Sequence, residues 1–236
     1  MKKPKALVGV ASGAVVALSL VVMGSGLAHP GDGKGSDGKS LSKKDTAALF
    51  AACQTTAGAT ASALRGPGKK TKMWCAVADR EGDLLLIEST DTNGSPQNPK
   101  GSDAWRGSIE IAEAKAYTAL AFSSNDQALD SRTVGLLTRQ DGPGSTVPGD
   151  IGTDKGVAPL WGLGNTNPFR TLWGGASDDS PNRRHRGIVT FAGGQPVYDC
   201  SKHTLLGGVG VSGDGVDEDD AVAKGAVTGA GFCLTP

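Results

Sequence analysis

Apolar residues along the chain fall into short runs and helical stripes, separated by glycine, proline and small polar residues. From Asp45 to Leu64 the sequence is alanine-rich, and Leu49, Ala52, Cys53 and Ala57 recur at the spacing of one helix face. Ser42, with Asp45 three residues on, has the form of a capping box for that helix. Gly66-Pro67-Gly68 ends it. Met73–Ala78 and Leu84–Ser89 are continuous apolar runs joined by "DREGD", which predicts a β-hairpin. The second run is too apolar for a strand with one face in water, so the sheet is expected to be covered on both sides. Ile109–Phe122 reads as a second helix whose alanines allow close packing on a sheet, and Asp126–Leu137 as a short third one. Further on, Gly187–Ala192, Gln195–Asp199 and Leu205–Ser212 read as three strands, and Asp217–Gly229 as a last helix. Hairpins interrupted by helices imply an antiparallel sheet with helices packed against it, not a doubly wound parallel sheet.

Two segments stand outside this pattern. Residues 1–28 begin with Lys2, Lys3 and Lys5, continue uncharged from Ala6 to Leu27 and end in Gly26-Leu27-Ala28. That is the form of a secretory signal peptide, and its Gly and Ser content favours cleavage over membrane anchorage. Residues 29–44 are rich in Gly, Ser and Lys and predict a flexible tether, which leaves 45–236 as a single domain. Within it, Thr138–Arg186 carries many Gly and Pro together with Trp161 and Trp173. A loop of that length is commonly functional, and two tryptophans predict that it packs on its own domain or on a neighbouring subunit.

Composition changes the picture in three ways. Glycine, at 36 of 236 residues, is about twice as frequent as usual and predicts tight turns and close backbone approach. Loss of the first 28 residues removes three lysines and no acid, leaving 21 Lys and Arg against 24 Asp and Glu. A chain with that slight negative charge does not bind nucleic acid through a basic surface. Cys53, Cys75, Cys200 and Cys233 lack metal-binding spacing. An even number in an exported chain implies two disulfides, in one of three connectivities.

The stretch "GGVGVSGDGVDEDDAVAKGA", Gly207–Ala226, holds Gly208-x-Gly210-x-x-Gly213 followed by Asp217, Glu218, Asp219 and Asp220. A dinucleotide site needs a strand after the helix and a helix start free to receive pyrophosphate. Here no strand follows, and the acids would repel the phosphates. Asp214, Asp217, Asp219 and Asp220 are hard oxygen ligands of the kind calcium takes, though not in EF-hand spacing. Of these, Asp214, Asp217 and Asp219 are the candidate metal ligands. The leading local reading is structural: Asp217 as helix cap, its acidic neighbours favouring the positive helix end, and glycines letting strand and helix approach. No nucleophile elbow is present, and His29, His185 and His203 stand at no diagnostic spacing, so no catalytic triad is assigned.

"FAGGQPVY" (Phe191–Tyr198), Leu205–Ala226 and "AEAKAYTALAF" (Ala112–Phe122) together resemble the GlcG/HbpS family, named for a haem-binding protein. "VADREGDLLLIESTD" (Val77–Asp91), "SRTVGLL" (Ser131–Leu137) and "PLWGLGNTNP" (Pro159–Pro168) extend the likeness over roughly residues 45–230. The resemblance implies an α/β (α+β), profilin-like domain with a five-stranded antiparallel sheet flanked by helices. It implies self-association into dimers or rings, haem or tetrapyrrole binding in some members, and action outside the cell with a membrane sensor kinase. Under that reading His203 and His185 are the candidate haem ligands, and Lys115 and Arg184 the candidate partners of its carboxylates. The alternatives are a small-molecule enzyme with a pocket beside the sheet, and a structural module whose 138–186 loop is an oligomerisation arm.

Overall fold

The computed structural model describes residues 40–91, 95, 101–137 and 187–236. The expected signal segment, most of the expected tether and residues 138–186, with Arg184 and His185, lie outside them. The described chain runs α1 (Lys43–Ala59), β1 (Trp74–Asp79), β2 (Leu84–Ser89), α2 (Ser108–Ala121), α3 (Ser131–Leu137), β3 (Gly194–Asp199), β4 (Thr204–Ser212) and α4 (Val216–Gly229). The strands form one antiparallel sheet in the order β2-β1-β4-β3.

Alternation along β1 shows how the sheet is buried. Cys75 and Val77 join Leu49 and Ala57 of α1 and Val222, Ala226 and Val227 of α4 in one apolar cluster. Trp74, Ala76 and Ala78 join Ile109, Ala112, Ala116 and Leu120 of α2 in another. The sheet is therefore the middle layer, with α1 and α4 on one face and α2 on the other. Every residue from Trp74 to Ala78 is buried, as a strand covered on both faces must be.

The glycines of β4 are there for α2. A Cβ at Gly208 would strike the Ala116 carbonyl oxygen, and one at Gly210 the Ala112 carbonyl and the Ala116 amide. The helix backbone thus lies directly on the strand backbone, and a side chain at either position would force them apart. What had the spacing of a dinucleotide fingerprint is a strand surface shaped for a helix.

The sheet has four strands among the described residues, not five. Gly187–Ala192 forms no ladder. Its backbone is held by side chains instead: Val189 N donates to the Thr118 hydroxyl at 2.9 Å, and the Phe191 carbonyl accepts from Ser131 at 2.8 Å. It covers the outer side of α2, which is why Thr118 and Ala119 on that helix are buried along with its sheet-facing stripe. An apolar run predicts burial, and here the neighbour is a helix.

Boundaries shift for similar reasons. The capping box of Ser42 and Asp45 forms, but the helix starts at Lys43 and Leu41 is already in the core, so the domain begins before Asp45. α1 ends at Ala59, short of Leu64, because Ala61 pairs with Lys70 and the next turn is drawn to Asp214. α3 begins at Ser131 rather than Asp126, since Ser123–Leu129 is taken up by local turns such as Ser124 N to the Gln127 carbonyl at 2.8 Å. The cap of α4 is Gly215, not Asp217.

One disulfide is formed, Cys200–Cys233, with Cα atoms 5.1 Å apart. It ties the β3–β4 turn to the C-terminal segment, where Tyr198 and Cys233 already exchange backbone hydrogen bonds of 2.9 and 3.0 Å.

Candidate functional site

The acidic stretch at the start of α4 is largely consumed by its own protein partners. Asp214, fully buried at its side chain, accepts from the Ser62 hydroxyl at 2.5 Å and from the amides of Ala63, Leu64 and Gly215 at 2.8, 3.1 and 3.0 Å. Burial alone would raise its pKa, but these donors outweigh burial and hold it below the ordinary aspartate value. Asp217 pairs with Arg132 at 2.5 Å. Asp219 accepts from the Asp214 amide at 3.1 Å and from Lys115 Nζ at 2.5 Å. Asp220 takes Gln195 Nε2 at 2.8 Å and Lys224 Nζ at 2.9 Å. Asp214, Asp217 and Asp219 are the residues that the sequence offers as candidate metal ligands. Each is turned to a different protein donor, and among the described residues no three acids, histidines or cysteines are grouped as a metal site.

Lys115, the expected partner of a ligand carboxylate, is likewise held by groups of the protein itself. Its side chain is completely enclosed, with Nζ bound to Asp219 and at 2.9 Å to the Val211 carbonyl, under the Phe191 ring at 4.8 Å. Burial draws its pKa down against the pull of Asp219, and burial raises Asp219. The pair fastens α2 to α4 across the end of β4 and leaves no ammonium to meet an external anion. Ser131 completes this junction, donating to the Phe191 carbonyl and accepting from Gly194 N at 2.8 Å. Between them Gly193 turns at φ 110°, a conformation side chains rarely adopt.

His203 stands at the other end of β4. It occupies the β3–β4 turn in the left-handed region at φ 54°, with its side chain exposed. A strand rises roughly 3.3 Å per residue, so His203 and Val211 are on the order of 25 Å apart. His203 and Lys115 are therefore not parts of one site.

Among the described residues, the clefts open to ligand include the following two. One, about 510 Å³, is lined by Arg65, Lys69, Lys70, Lys72, Asp91 and Asp103 among others. Its charges are mostly matched: Lys72 is paired with both Asp91 and Asp103, and Lys70 Nζ donates to the Ala59 carbonyl at 2.7 Å. Arg65 lies over the half-exposed Trp105 ring at 4.8 Å, with Nε 3.9 Å from Asp214.

The second cleft, about 430 Å³, lies where the β1–β2 turn meets the end of α2 and the start of β4. Leu120, Ala121 and Leu205 give it an apolar wall, and Tyr117 and Arg80 give it polar groups. Arg80 Nη1 is buried with no hydrogen-bond partner among the described residues. An unpaired buried guanidinium nitrogen is costly in a finished fold and marks a place where an anion would be gained. Leu205 N is fixed to Asn125 Oδ1 at 2.9 Å, and His203 is two residues away. Sequence reasoning passed over Arg80 and Tyr117. Arg80 lay in a turn that only connected strands, and Tyr117 lay one position beyond the Ala112–Ala116–Leu120 stripe. An aromatic just off a packed stripe was the one available signal. Tyr198, also a potential ligand by type, is unavailable: it is buried, and its hydroxyl donates to the Ser124 and Gln127 carbonyls at 2.8 and 3.0 Å.

The profile of the HbpS-like family, described as haem degrading protein HbpS-like, matches residues 41–228. The chain belongs to that family. Among solved structures this HbpS-like chain is similar to the PduOC–haem complex, with 21% identity over 84% of this chain and 100% of that one, at a TM-score of 0.50. It is also similar to Klebsiella pneumoniae ORFY, with 21% identity over 84% and 94% at a TM-score of 0.49. HbpS itself matches with 20% identity over 83% and 94% at a TM-score of 0.46. At these identities the likeness to solved structures is one of fold. No curated protein sequence is detectably similar.

Proposed function

We propose that this HbpS-like protein binds haem or a related tetrapyrrole outside the cytoplasm. The observation that carries the proposal is the family match over 41–228, whose description names haem. The 430 Å³ cleft suits such a ligand chemically. Arg80 Nη1 supplies a buried donor for a ring carboxylate, and Leu120, Ala121 and Leu205 exclude water from a ring face. Tyr117 and His203 are of the residue types that hold haem iron. When bound, the iron supplies ligand-exchange and electron-transfer chemistry, and the residues here set its orientation, its charge balance and its access to water. Of the ligands expected from sequence, His203 belongs with this cleft. His185 and Arg184, outside the described residues, are proposed to contribute from the loop that precedes Gly187.

The absorption spectrum of the protein purified from its source tests this directly, because a bound tetrapyrrole announces itself without assumptions about the site. A Soret band is expected. Its position should move in His203→Ala or Tyr117→Phe, according to which residue holds the iron. Protein that is colourless from its source and remains so after incubation with haemin would sink the proposal. The family's description also names degradation, so an enzymatic reading has a specific basis. Under reductant and oxygen, a degrading protein would lose its Soret band with turnover, whereas a carrier or sensor would retain it.

Export rests on the signal-like residues 1–28, and a reporting role towards a membrane sensor is proposed from the family resemblance. Self-association is proposed on the same ground. Light scattering that gave the mass of a single chain would contradict it.

A further inference from the structure

Two thiols inside the domain have no part in the haem proposal. Cys53 lies on the inner stripe of α1 between Leu49 and Ala57, and Cys75 lies on β1 between Met73 and Val77. Both are completely enclosed and belong to the same apolar cluster. Both stand as free thiols where α1 packs on β1, with Cys75 near enough to bear on the Cys53 thiol. No cluster of metal-ligating groups surrounds them among the described residues.

We propose that Cys53 and Cys75 form a second disulfide of this protein, a covalent tie between helix α1 and strand β1. A disulfide needs two sulfurs within reach on neighbouring elements, and these two lie in one cluster between elements that pack together. With Cys200 already joined to Cys233, Cys53 and Cys75 are the remaining cysteines of the chain. Oxidation requires an external disulfide of the glutathione type. One cysteine thiolate attacks that disulfide and releases one external thiol, leaving a mixed disulfide. The second cysteine, as its thiolate, then attacks the protein sulfur and releases the other external thiol. Two protein thiols are thereby oxidised and one external disulfide is reduced to two thiols, which take up the two protons the protein thiols give up.

Order matters for this exchange. In the folded core, burial pushes the Cys53 thiol well up, and Cys75 beside it raises it further. The reactive thiolate is thus scarce once α1 has docked, and the bond forms before or during docking. The completed bond then holds the α1–β1 contact closed, while Cys200–Cys233 secures the opposite end of the fold.

The test uses the full chain refolded in a mixture of oxidised and reduced glutathione, acid-quenched, unfolded and alkylated with iodoacetamide. Without prior reduction no cysteine should be alkylated; after reduction all four should be. A non-reduced digest should join the Cys53 peptide to the Cys75 peptide. Alkylation of Cys53 and Cys75 without reduction, or a peptide joining either of them to Cys200 or Cys233, would overturn the proposal. A Cys53→Ala/Cys75→Ala variant provides an independent readout. Reductant should lower the melting temperature of the wild type by more than that of the variant, and equal shifts would count against the bond.

Discussion

Asp214 shows most clearly how individual residues hold this fold. It was read as a metal ligand because acids crowd around it, yet its carboxylate is the receptor for a turn 150 residues earlier in the chain. A sequence cannot display such a partner, since Ser62, Ala63 and Leu64 offer mainly backbone amides and those carry no signature. Replacing Asp214 with Ala should cost about 1–3 kcal/mol in chemical denaturation, as several donors lose one buried acceptor. Its pH dependence has a definite sign. The folded-state pKa is depressed, so the stabilisation is complete above about pH 4, the unfolded value. It is lost as pH falls through the folded value. Asp214→Asn should therefore flatten the acid side of the stability profile, and an unchanged profile would refute the assignment. The Lys115–Asp219 pair makes a second residue-scale prediction. Asp219→Ala strands a buried ammonium and should cost about 3–5 kcal/mol, whereas Lys115→Met with Asp219→Leu should recover most of that loss. Thermal melts of the single and double variants measure the difference.

At the scale of elements, the runs and stripes of apolar residues sufficed for α1, α2, α4 and four strands, because burial against a neighbour demands them whatever the neighbour is. The same indifference explains the miss at Gly187–Ala192. Val189 and Ala192 are buried as expected while Phe191 stays exposed, and the Thr118 hydroxyl of α2 replaces a strand as hydrogen-bond partner. Helix α2 is itself buried on more than one side, with Glu113 and Lys115 enclosed as well as its alanines. Its position could be anticipated from the alanines, but not its second cover. The glycines of β4 carry the prediction that belongs here. Gly210→Ala places a Cβ against the backbone of α2 at Ala112 and Ala116, which cannot yield as a side chain would. A loss of at least about 1–3 kcal/mol is expected, the usual range for overpacking. Alanine tolerated there without loss of stability would mean that helix and strand are not in backbone contact.

For the whole molecule, the layered fold separates two features that sequence placed in one list. The Lys115 junction closes one end of β4, and the cleft of Arg80 and Tyr117 opens near the other, beside His203. The second is lined by Arg80, whose Nη1 has no hydrogen-bond partner among the described residues. It was illegible in the sequence because it joins a hairpin turn, the tail of a helix and the head of a strand, three segments with no shared motif. We propose that the kind of ligand follows from family membership and that this cleft is its place. The decisive measurement is a haemin titration followed at the Soret band, with wild type and Arg80→Ala compared at equal folded stability. Saturable binding at a fixed stoichiometry, weakened about tenfold or more by loss of the charge-assisted contact at Arg80, is the expected result. Absence of a saturable Soret shift in the wild type, or identical affinity in the variant, would contradict the account.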